Sequence, residues 1–157
     1  MNDKTFMARF DSDYRAAYDG ASPENFNALD FVSALGSVSG ALLYSRLFLP
    51  EFVEVDGMIL LKESIEDAGG SEGAKDLYRQ YGSKGKVEQA LNAFYINLNF
   101  PNHLNTNAPG DDRLLAEQLA VTWSLRLRQL YPDRAFIVRQ FEEDGEAGVL
   151  FCQANLE

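Results

Sequence analysis

Five carboxylates in and just after a strand-like stretch are the first residues in this chain whose types and spacing could do chemistry. From Glu51 to Asp76 there are eight acids against two bases. If Phe52 to Leu61 is extended, alternation puts Glu54 and Asp56 on one face, with Glu63, Glu66 and Asp67 just beyond. Two neighbouring carboxylates can act as acid and base when burial separates their pKa values, or can hold magnesium. The spacing here is diagnostic of neither. These acids are therefore read as a docking patch for a basic partner, with Phe52 or Met58 as its apolar anchor.

The other reactive side chains lack the company that catalysis needs. His103 is the only histidine and sits in a polar stretch with Asn102, Asn105 and Asn107, without a serine or cysteine at a diagnostic spacing. Those asparagines supply none of the negative charge a calcium site requires. The single Cys152 allows no internal disulfide and no cysteine zinc cluster, and within Val149-Leu150-Phe151-Cys152 it reads as a buried small hydrophobe. Gly36, Gly40, Gly69, Gly70 and Gly73 form no phosphate-cradling motif, so Arg126, Arg128 and Arg134 have no glycine-rich loop to work with. Arg126 falls on the edge of an apolar helix face and is expected to reach water or an acid of the β region. The sequence assigns no catalytic residue, no cofactor and no metal.

Bulk charge narrows the partners. The chain has 157 residues, 46% of them apolar, and a formal charge of -10. An acidic field repels nucleic-acid phosphates and anionic membranes, and attracts basic proteins or cations. The absence of a signal-like apolar run near Met1, together with the lone cysteine, sets the expectation of a cytoplasmic protein that does not enter a membrane.

The elements that must position these groups follow from periodicity. Asp111 to Tyr131 carries the longest helical pattern. Leu115, Ala116, Leu119, Trp123, Leu127 and Leu130 lie on one face, Leu114, Val121 and Leu125 lie nearly opposite, and Asp111 is its expected N-cap. Two stripes predict a helix packed on both sides. Phe6, Phe10, Tyr14 and Tyr18 predict a short N-terminal helix with one aromatic stripe. One long or kinked helix is expected from Ser22-Pro23-Glu24 to Leu49, its glycines and serines accepting the Trp123 helix. Asp56-Gly57 predicts a hairpin, 64–73 a loop, 71–82 a short helix, and 83–98 another. Alternation over 136–141 and 149–153 predicts a second hairpin, turning over 142–147 and extending the first into one sheet.

Together these predict an α+β fold, a single domain over 1–155 with helices packed on a small, mainly antiparallel sheet, Leu156 and Glu157 taking no part. The function expected is non-enzymatic: an acidic interaction domain of inhibitor, immunity or adaptor type that binds a basic protein. Two other classes stay open. One is a small-ligand or enzymatic domain with a pocket between the helices and the 52–61 strands. The other is a homo-oligomer subunit joined by the aromatic stripe.

Overall fold

A stretch as rich in glycine and serine as 33–40 interrupts a helix, and the single helix predicted over 22–49 is two. The computed structural model describes residues 6–17, 23, 25–100 and 108–156. It divides into two compact units, 1–45 and 46–157. In the first unit a 3-10 turn (Ala8–Phe10) leads into α1 (Asp11–Ala17), followed by α2 (Ala28–Leu35) and by α3 (Val38–Phe48), whose last turn, from Arg46, belongs to the second unit. α2 starts at Asn27, whose Oδ1 accepts from the Leu29 amide at 2.8 Å while Asp30 Oδ2 accepts from the Asn27 amide at 3.0 Å. That reciprocal cap satisfies amides that a helix start leaves bare. It fixes the start downstream of the predicted Ser22-Pro23-Glu24, of which only Pro23 is described. Gly36 is extended (φ -69°, ψ 149°) and ends the helix. The aromatic stripe is used internally: Phe10 stacks on Phe31 at 5.1 Å and Tyr14 on Phe26 at 4.9 Å. Tyr18 lies outside the described residues.

The second unit opens with the predicted hairpin. β1 (Phe52–Val55) pairs antiparallel with β2 (Met58–Leu61), and Asp56 and Gly57 have φ of 51° and 86°. This is the doubly left-handed backbone of a type I′ turn, whose twist matches that of the strands. The predicted loop over 64–73 is instead helical, as α4 (Lys62–Asp67) and α5 (Gly70–Tyr81). Ile65 and Ala74 are buried and anchor the two helices, while Gly69 and Gly70 turn the corner at φ 92° and 71°. Two apolar anchors in an acidic stretch are too few for sequence periodicity to register.

The helix predicted to run from 83 to 98 also divides. α6 (Lys84–Leu91), with Ser83 as N-cap, gives way to β3 (Phe94–Tyr95) and α7 (Ile96–Asn99). The long helix is as predicted, α8 (Asp111–Leu130), with Ala116, Leu119, Trp123 and Leu127 buried. Only one of its stripes is covered, since Val121 and Leu125 are exposed. Gly110 takes the N-cap position, and Asp111 Oδ2 accepts the Ala108 amide at 2.8 Å. β4 (Phe136–Glu143) and β5 (Glu146–Gln153) then form the second hairpin, which turns within Asp144-Gly145.

The fold class is α+β, but the two hairpins do not share a sheet. One sheet is β1-β2, the other β3-β5-β4. β2 is buried on both faces. Ile59 and Leu61 join Trp123, Leu119, Val149 and Phe151. Met58 and Leu60 join Ile65, Ala74 and Val87, with Leu156 packed beside them, so the chain's end takes part in the fold.

Where a strand would otherwise run between β2 and β5, two buried side chains stand. Glu88 Oε1 accepts from the Ile59 amide at 2.7 Å and Oε2 from the Gln153 amide at 2.6 Å. Asn92 Oδ1 accepts from the Leu61 amide at 2.9 Å, and its Nδ2 donates to the carbonyls of Ile59 (2.8 Å) and Phe151 (3.3 Å). Asn92→Ala strips partners from three buried backbone groups and is expected to cost about 3 kcal/mol. Urea unfolding should show this as a lower midpoint at unchanged m-value, whereas exposed Val121→Ala should stay within about 0.5 kcal/mol of the parent.

Candidate functional site

The five acids of the expected patch are divided among different tasks. Glu54 Oε1 accepts from Arg134 at 2.7 Å, and Arg134 also donates to the Gly57 carbonyl at 3.1 Å. Asp56 is exposed at the turn; its backbone carbonyl accepts Lys84 Nζ at 2.7 Å, while its carboxylate makes no ion pair among the described residues. Glu63, Glu66 and Asp67 on α4 are exposed and make no ion pair among the described residues. Their cationic neighbour is Lys62, bound to Glu51 at 2.6 Å. That hydrogen bond and charge hold the Lys62 ammonium above its usual range, with smaller contributions from Glu66 and Glu63.

The two apolar anchors are not surface features. Met58 is only 1% exposed, because its face of β2 turns toward α4, α5 and α6. It is unavailable to a partner. Phe52 is half-buried and meets Phe151 edge-on at 5.2 Å. Alternation reveals which residues share a strand face, but only packing reveals that both faces of β2 are covered.

His103 lies outside the described residues. Cys152 is buried on β5, and loss of hydration pushes its thiol pKa upward, assisted by the negative charge of Glu88. The three arginines are apart in their bonding. Arg134 holds Glu54, Arg128 donates to Ser124 Oγ at 2.9 Å, and Arg126 donates to Gln129 at 3.3 Å. Arg126 thus finds neither an acid nor full solvation: its Nε is buried without a hydrogen-bond partner among the described residues. Among those residues no group of three or more His, Cys, Asp or Glu is placed to hold a metal ion, and no helix is long and apolar enough to cross a membrane.

The expected pocket beside β1 and β2 has its counterpart elsewhere, on the far face of the three-stranded sheet. An open groove of about 710 Å³ runs between α6 and that face. Ala90 and Ala93 form one wall, Phe141 and Leu150 the other, and Lys86, Gln89 and Arg139 supply polar ends. At one rim Tyr95 OH donates to Glu143 Oε2 at 2.8 Å, a bond that raises the phenol's pKa. A second groove, about 460 Å³, lies between α8 and β4 and includes the exposed Val121 and Leu125. Sequence reading missed the larger groove because its lining comes from 81–95 and 139–150, segments with no shared motif.

No known protein family, curated protein or solved structure matches this chain.

Burial raises the Cys152 pKa and so lowers its thiolate fraction, and the thiolate is the nucleophile. Labelling by a disulfide reagent at pH 8 should be at least about tenfold slower in native protein than in urea. Equal rates in the two conditions would place Cys152 at an accessible surface.

Proposed function

We propose that this chain works as a non-enzymatic interaction domain that docks a basic protein, in the manner of an inhibitor, immunity-type protein or adaptor, in the cytoplasm. The observation that carries the reading is the free acidic edge of α4. Glu63, Glu66 and Asp67 stand exposed without an ion pair among the described residues, on a helix held by the buried Ile65. Neighbouring acids extend the field: Glu72 and Asp76 on α5 reach only Lys75 and Arg79, their own helix neighbours. Such short-range pairs leave the long-range potential negative, which favours encounter with a cationic surface and disfavours phosphate backbones. Phe52 and Met58 take no part in this version of the patch, and Glu54 takes part only if its bond to Arg134 opens.

The test is capture of partners on immobilised full-length protein, repeated with the Glu63→Gln, Glu66→Gln, Asp67→Asn triple variant. A specific basic partner should bind roughly tenfold more weakly to the variant, and more weakly to the parent as salt rises. Binding that ignores both the substitutions and the salt sinks the proposal.

A separate observation favours a second reading, that of a homo-oligomer subunit. Neither α2 nor α3 buries any residue, and Leu29, Val38, Leu42 and Leu43 are 63–79% exposed. Helices of 8 and 11 residues gain most of their stability from burying an apolar face, so these faces call for a cover. On this reading the contact is the leucine face and not the aromatic stripe, which Phe26 and Phe31 already occupy. Light scattering should give a mass that rises with concentration in the parent and falls back to the monomer in Leu42→Gln, Leu43→Gln. A monomer at every concentration rejects it.

A further inference from the structure

We infer that the groove between α6 and the three-stranded sheet binds an organic acid, an anionic head on an apolar body. The argument rests on two cations. Lys86 and Arg139 both line this groove, and neither side chain has a hydrogen bond or ion pair among the described residues. Apart from Arg46, which lies in the field of Glu51, every other described lysine and arginine of the second unit has a polar partner. In a chain with 24 acids against 14 bases, unpaired cations are the exception. Here two of them share one concavity.

The carboxylates that could neutralise them are held by others. Glu142 and Glu143 line the same groove; Glu142 is paired with Arg113 at 2.7 Å, and Glu143, which accepts from the Tyr95 hydroxyl at 2.8 Å, keeps its charge at that rim but makes no ion pair with Lys86 or Arg139. Lys86 and Arg139 thus face the groove with donors open. Arginine and lysine donors bind a carboxylate more strongly than a neutral acceptor because the bond is charge-assisted.

The apolar half of the site is tightly packed. The Phe141 ring lies against Gly148, where an added Cβ would come within 2.4 Å of it, and meets Tyr95 edge-on at 5.0 Å. Leu150 and the two alanines complete an apolar surface of a kind that a ring or short alkyl chain could cover. A volume of about 710 Å³ falls within the range of small-molecule sites. This inference is independent of the acidic edge of α4, none of whose residues lines the groove.

The chemistry is shared by a free aromatic acid and by the C-terminal carboxylate of a peptide, so both are tried. Full-length protein labelled with 15N is titrated with 4-phenylbutyrate and with N-acetylphenylalanine, each against its uncharged amide. Saturable shifts are expected at the amides of Ala90, Ala93 and Leu150, with each acid binding roughly tenfold or more tighter than its amide. The tighter of the two acids identifies the source. Lys86→Gln, Arg139→Gln changes only exposed side chains and should remove the preference for the acid while leaving the dispersed spectrum of a folded protein. The inference is overturned if no saturable shift occurs, if shifts map elsewhere, if acid and amide bind alike, or if the double variant keeps the preference.

Discussion

The structure of the second unit depends on Glu88 and Asn92. β3 covers β5 only at Val149 and Gly148. Among the described residues β5 has no strand on that side beyond that point, and β2 has none on the side away from β1. Glu88 and Asn92, four positions apart at the end of α6, fill the gap with hydrogen bonds to Ile59 and Leu61 on one side and to Phe151 and Gln153 on the other. Gln153 Nε2 adds a third N–H to the Glu88 carboxyl group. Side chains thus do what a strand ladder does, satisfying backbone groups that burial would otherwise strand.

That requirement explains the local anatomy. α6 must stop near Leu91 so that Asn92 can turn between the sheets and the chain can pair briefly with β5. With the edges joined by side chains, β2 is free to be covered on both faces, giving two apolar clusters instead of one. One cluster takes α8 through Leu119 and Trp123, whose Nε1 donates to the Leu47 carbonyl at 2.8 Å. The other takes α4, α5 and α6 through Ile65, Ala74 and Val87.

The same packing sorts the charges. Anchoring α4 by Ile65 leaves its acids outward, and seating α6 on β2 turns Lys86 toward the far groove while Glu88 goes inward. The formal charge of -10 therefore does not form a uniform coat. Much of it is locally paired, as in Glu51–Lys62, Glu54–Arg134 and Glu142–Arg113. Among the described charges without an ion pair are a row of acids on α4 and two cations that line one groove, and these differ in the ligands they favour.

By itself the sequence determined the elements whose signals are local. Aspartate-glycine pairs set both hairpin turns, because their backbone conformation is a property of two residues. The Trp123 helix and its buried face were legible in a period sustained over 20 residues. Tertiary structure alone decided the rest. Glu88 and Asn92 read as ordinary polar helix residues until β2 and β5 arrive from 29 to 65 positions away. Met58 looked like a surface anchor because alternation assumes one open face. Residues 64–73 looked like a loop because they carry little apolar sequence, and the helices there are held by Ile65 and by Ala74 just beyond, packed with Met58, Leu60 and Val87. For Glu88 and Met58 the deciding interaction joins segments far apart in the chain, and no pattern within either segment encodes its partner.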